Sequence, residues 1–146
     1  MNIFNRSITI NVRTTDGKTV TVDGVFLDSY HELCLTLAAE MDGFTIIAAN
    51  GEFRRIPHED CHHGQERIPN LVGLRLAHGV RKQIMVAVGS EVGCTHLADL
   101  ALECVKALVQ AKYSLMKLSL TPEEIQAQSE EYLRGTCYHY RTKPLG

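Results

Sequence analysis

Strict alternation of β-branched and polar residues near the start of the chain limits most strongly what it can fold into. Ile8, Ile10 and Val12 alternate with Thr9, Asn11 and Arg13, and Asp16-Gly17 separates this run from Val20-Thr21-Val22 and Val25-Phe26-Leu27. A period of two sends successive side chains to opposite faces of a strand, and Asp-Gly between two such runs marks a tight turn, so the stretch reads as a β-hairpin. Leu33, Leu35 and Leu37 then alternate with Cys34, Thr36 and Ala38, and Asp42-Gly43 leads into Phe44-Thr45-Ile46-Ile47-Ala48-Ala49. A second hairpin follows the first, which predicts an antiparallel sheet of about four strands.

The period changes after that point. From Arg54 to Pro69 the sequence RRIPHEDCHHGQERIP has no apolar repeat and reads as a loop rich in side chains that bind things. Asn70 stands where it can cap a helix whose apolar positions Leu76, Val80, Ile84 and Val88 recur every fourth residue. Gly79 is placed to break that helix and Gly89 to end it. Cys94 opens a longer amphipathic segment with Leu97, Leu100, Ala101, Cys104, Leu108 and Ala111 on one face, about five turns long. Thr121-Pro122-Glu123-Glu124 is a capping-box start, Gly135 ends that last helix, and Gly135 to Tyr140 reads as a short extended piece. Strands first and helices afterwards, without linker or repeat, predict an α+β fold in one domain over residues 1–146, with the C-terminal helices covering the sheet.

Composition excludes several function classes. A chain of 146 residues with 15 Lys and Arg against 17 Asp and Glu has a formal charge of −2, so no overall basic field exists to attract nucleic acid or an anionic membrane. Neither a Walker pattern nor GxGxxG occurs, which argues against a bound nucleotide. The start MNIFNRSITINV has no apolar run behind basic residues, and the expected location is cytoplasmic. Five cysteines form an odd set that suits reduced thiols or metal ligands better than a disulfide framework. Homo-oligomerisation is left open by these features.

Residues able to carry chemistry gather in loops and at element ends. Cys94, in Gly93-Cys94-Thr95-His96-Leu97, sits at a helix start, where backbone N–H groups favour an anion and so predict a thiol that ionises more readily than usual. His96 lies two residues on and can reach the same point beyond the helix end. Cys61 has His58, His62 and His63 close by, the donors that zinc or iron prefers, although the spacing fits no closed zinc motif and a solvated polar loop is the plain alternative. Cys137 and His139 share one side of the late extended piece, as a third metal-binding arm or as a strand covering a sheet edge. Asp28 and His31 flank Tyr30 at the junction of the two hairpins, where a rigid turn can offer an oxygen and a nitrogen ligand. Cys104, on the leucine stripe of its helix, and Cys34, opposite the leucine face of its strand, read as structural.

These motifs resemble a bacterial family of unknown function that combines an Asp-x-x-His hairpin junction, a Cys after a Pro-containing loop, a Leu-x-Gly-Leu helix start, a Gly-Cys-Thr-His-Leu helix and a late Gly-x-Cys. Here they are Asp28 to His31, Pro57 to Cys61, Leu71 to Leu74, Gly93 to Leu97 and Gly135 to Cys137. The order of elements is also similar to the NifU/IscU type of iron–sulfur scaffold, with Cys61 after the sheet and Cys94-Thr95-His96-Leu97-Ala98-Asp99 opening the long helix. That resemblance implies a metal or cluster site, with Asp28 or His31 near the place of the scaffold's first cysteine and the imidazole moved to His96.

The sequence therefore points to a metal-binding α+β protein, with Cys61, Cys94 and His96 as primary ligands and Asp28, His31 or Cys137 completing the shell around zinc or iron, or around an iron–sulfur cluster. Two other readings stand beside it. One is a thiol enzyme in which Cys94 is the nucleophile and His96 or a loop histidine the base. The other is a non-catalytic interaction module whose polar motifs are structural.

Overall fold

A computed structural model of the chain describes residues 1–142. The two hairpins form as the alternation dictates. Strands β1 (Arg6–Thr14), β2 (Thr19–Asp28), β3 (Glu32–Glu40) and β4 (Thr45–Arg55) make one antiparallel sheet in the order β1-β2-β3-β4. The Asp16-Gly17 turn fixes the first register, with Ile10 opposite Gly24, Ile8 opposite Phe26 and Arg6 opposite Asp28. Asp16 locks that turn by accepting the backbone N–H groups of Lys18 and Thr19, each at 2.8 Å, which explains why a short Asx-type loop is stable there.

One face of the sheet is apolar. Val20, Val22, Phe26, Leu33, Leu35, Leu37, Ala39, Ile46 and Phe53 are buried on it, whereas Cys34 and Thr36 belong to the opposite face. Burying a residue such as Phe26, which is fully covered, contributes about 1.5–3 kcal/mol.

The segment from Arg54 to Pro69 differs from the expected loop. Glu59–Leu71 winds as a long 3-10 run, and its buried residues Gly64, Ile68 and Leu71 recur every three or four positions, with too few apolar side chains among them to mark a stripe. Asn70 does not cap a helix but donates from its side-chain amide to the Ala87 carbonyl at 3.3 Å. Helix α1 covers only Val80–Val88, because Gly79 takes a left-handed conformation (φ 89°) that an α-helix cannot pass through. Gly89 ends it as expected.

Helix α2 (Thr95–Met116) follows, with Leu97, Leu100, Ala101, Cys104 and Leu108 fully buried. Its close seat on the sheet is at Gly24. A Cβ there would stand 2.6 Å from the Cys104 Sγ and 2.9 Å from the Leu100 Cδ1, so only glycine fits. Burial pushes the Cys104 thiol up to about 12, as suits a cysteine used as a small hydrophobe.

The described chain forms two compact units, the first covering Met1–Val109 and the second starting at Gln110. In the second, α3 (Pro122–Leu133) begins at the capping box read from the sequence. Thr121 accepts the Glu124 N–H at 3.3 Å, and Glu124 accepts the Thr121 N–H at 2.8 Å. The expected extended piece from Gly135 to Tyr140 is instead a series of turns and bends, beginning where Gly135 takes a positive φ of 75°. No helix among the described residues is long and apolar enough to cross a membrane.

Candidate metal centre

β2 ends at Asp28 and β3 begins at Glu32, so the four-residue junction between the hairpins carries Asp28 at one end and His31 at the other. Asp28 organises it. Its Oδ1 accepts the backbone N–H groups of Tyr30 (2.8 Å) and His31 (2.7 Å) and lies 3.0 Å from His31 Nδ1. Its Oδ2 accepts from the Arg6 guanidinium at 3.0 Å, across the strand pair that sets Arg6 opposite Asp28. Arg55, the last residue of β4, donates to the carbonyls of Asp28, Ser29 and His31 and so ties the backbone of the same junction.

The third member comes from the mouth of α2. His96, in its first turn, brings its ring to 4.0 Å from the His31 ring, centroid to centroid, and Phe26 lies beside both at 5.2 Å from His96 and 6.3 Å from His31. One donor atom each from Asp28, His31 and His96 lie within 4.8 Å of one another. The Asp28 side chain is 1% exposed and that of His31 is 12% exposed, so the carboxylate is shut off from solvent more completely than the imidazole.

Electrostatics fix the protonation pattern. Burial alone would raise the Asp28 carboxyl, but the Tyr30 N–H, the His31 ring and N–H and the Arg6 guanidinium together hold it well below the usual carboxylate range. Ionised, Asp28 can only accept hydrogen bonds, so the hydrogen between them is carried by His31 Nδ1, which turns His31 Nε2 away from the carboxylate. His96 is pushed down by burial first, then by His31 and Arg6, which favours the neutral ring. Two imidazoles with available nitrogens and a carboxylate are a set suited to zinc or ferrous iron.

The sulfur donors are arranged differently. Cys94 precedes the first turn of α2, half-buried, and its N–H donates to the Val88 carbonyl at 2.7 Å. The readily ionised thiol expected there is not found. Burial pushes the Cys94 thiol up, the N–H groups of Leu97 and His96 offset this only in part, and the nearby Cys61 and Asp99 charges add to the rise. A helix start thus fails to activate a cysteine once burial outweighs its N–H groups, which weighs against Cys94 as a free nucleophile.

Cys61 lies in the first turn of the 3-10 run, three residues before Gly64. A Cβ on Gly64 would stand 2.9 Å from the Cys94 Cβ, so the two cysteine-bearing segments meet there. Residues three apart eclipse on a 3-10 helix, which puts Cys61 on the Gly64 side of its run. Among the described residues Cys61 and Cys94 join no group of three donors like that of Asp28, His31 and His96. His58, His62 and His63 are exposed, and Cys137 is an exposed residue of the second unit.

Sequence reasoning missed Arg6 and Phe26. The signal for Arg6 was present, because a hairpin closed at Asp16-Gly17 sets it opposite Asp28 when pairs are counted back from the turn. Comparison with known proteins places residues 4–110 within the family described as "Protein of unknown function (DUF2889)". The chain belongs to that family. The part matched contains Asp28, His31, Cys61, Cys94 and His96, and it ends before Cys137. No curated protein and no solved structure matches the chain.

Proposed function

We propose that this member of the DUF2889 family binds a divalent transition-metal ion, zinc or ferrous iron, between His31 and His96, with Asp28 as the carboxylate of the site. The observation that carries the reading is the convergence of three donor-bearing side chains, from a hairpin junction and a helix start 65 positions apart, within 4.8 Å. Such a group, partly buried beside Phe26, is an expensive arrangement without a ligand, since two imidazoles tilted together at 4.0 Å gain little from one another. Asp28 serves in one of two ways at a 3.0 Å separation from His31 Nδ1: as a direct ligand, or as the carboxylate that orients His31 and raises its basicity. Bound there, the ion would supply Lewis acidity toward a water or substrate at its open positions.

The test is metal binding by protein purified without a histidine tag, followed by calorimetric titration with zinc and with ferrous iron. Wild type is expected to take up the ion in a one-to-one ratio, and His31→Ala and His96→Ala to lose it. Asp28→Asn should weaken binding by about 10–100-fold if the carboxylate acts from behind His31. A wild-type protein that retains and binds neither metal overturns the reading.

A second reading brings the thiols in. The close approach of the Cys61-bearing run to Cys94, at Gly64, favours a softer site of the kind the iron–sulfur resemblance implies. Cobalt substitution separates the two, because thiolate ligation gives an intense charge-transfer band that nitrogen and oxygen donors do not.

A further inference from the structure

The two edges of the sheet are finished differently. The outer edge of β4 is occupied by the segment that follows the 3-10 run. Ile46 N–H donates to the Leu74 carbonyl, Gly73 N–H to the Ile46 carbonyl and Leu76 N–H to the Phe44 carbonyl, and Thr45 bridges to Arg75. No comparable cover is found on β1 among the described residues. β1 is nine residues long, pairs with β2 without a bulge, and is exposed at every position except the half-buried Ile10.

The usual protections of an edge are missing as well. The strand RSITINVRT has no proline and no lysine. Its two arginines do not guard the free edge, because Arg6 is paired with Asp28 and Arg13 with Asp23, both on β2. Ile8 and Val12 are each left 37% exposed, on the same face as Ile10. A long, regular edge strand that none of the described residues covers, and whose two arginines are both tied to β2, can accept another strand.

The sequence of β1 says which strand that is. Folded back on a second copy about Ile10, the nine residues pair in full: Ile10 with the partner's Ile10, Ile8 with the partner's Val12, Thr9 with the partner's Asn11, Ser7 with the partner's Arg13 and Arg6 with the partner's Thr14. Branched residues meet branched residues, polar meet polar, and no charge faces a like charge. The operation is a two-fold axis, the commonest symmetry of soluble oligomers. We infer that two copies of this chain join antiparallel through β1, centred on Ile10, into a continuous sheet of twice four strands.

Sedimentation equilibrium with the full chain, combined with hydrogen exchange of β1, tests this. The wild type is expected at the dimer mass, with β1 amides whose protection falls on dilution. Ile8→Lys/Val12→Lys sets lysine against lysine at both outer branched pairs and should give a monomer. Mixing it with Ile8→Glu/Val12→Glu should restore a one-to-one heterodimer, an outcome that misfolded variants cannot produce. A wild type that stays monomeric at every concentration, or β1 exchange that does not change with dilution, overturns the inference, as does a double-lysine variant that remains dimeric. A monomer whose β1 becomes protected only when another protein is added assigns the edge to a foreign strand and overturns it equally.

Discussion

Helix α2 meets the sheet in two places that could hardly differ more. At Gly24 the contact is dry and so close that a methyl group would collide with the Cys104 Sγ and Leu100 Cδ1. Four residues further along the same face of β2, at Asp28, the contact is polar, with a carboxylate, two imidazoles and a guanidinium gathered around Phe26. Burying charge there costs free energy unless every partner is supplied, and Asp28 has the junction N–H groups, the His31 ring and Arg6 as its partners. The difference teaches that the first contact is packing alone, whereas at the second one carboxylate both holds a turn and gathers imidazole and guanidinium groups.

The sharpest way to break that contrast is to remove stabilisation from each place in turn. Leu100→Ala, at a fully buried position in the dry contact, should cost about 2–5 kcal/mol in urea unfolding. Asp28→Ala should cost less, about 1.5–3 kcal/mol, the range for hydrogen bonds to a charged group, because the Arg6 it strands is 40% exposed and can turn to water. Equal losses would mean that the polar place is also structural.

Acid sharpens the same comparison. Asp28, facing Arg6, His31 and His96, has a folded-state pKa lowered from its unfolded value, so its contribution is complete above about pH 4 and is lost as pH falls through the folded pKa. Metal-free Asp28→Asn should therefore show a flatter decline of stability below about pH 4 than wild type does, in parallel urea titrations. Leu100→Ala should keep the wild-type slope. The smallest effect expected is in labelling: the burial-raised Cys94 thiol should react with iodoacetamide at neutral pH more slowly than the exposed Cys137. Faster labelling of Cys94 would return it to the role of nucleophile.

The strands were legible because each carries a period of two bounded by Asp-Gly, and with the turn located the partner of every β1 residue follows. Asp28 and His31 were legible as a pair because they flank a short junction, and His96 because it sits in the first turn of a helix whose stripe is clear. What the sequence did not disclose is which donors meet. Cys61 and Cys94 read as ligands on paper no less than the residues that converge, and only the packing of the 3-10 run against the start of α2 separates the two sets. That run itself was hidden because Gly64, Ile68 and Leu71 are too sparse to mark a helical face. The expected thiol activation failed for a related reason, since burial is a tertiary property and it outweighed a local one.

Arg55 lends the junction one more property. By gripping three carbonyls of the junction from the far end of β4, it makes the position of the His31 imidazole answer to the length and curl of a strand two removed from the one that bears Asp28. A residue inserted into β4 just before Arg55 would slide that grip and tilt the ring without touching it, so the geometry of the centre is tuned from a distance by how the last strand is cut.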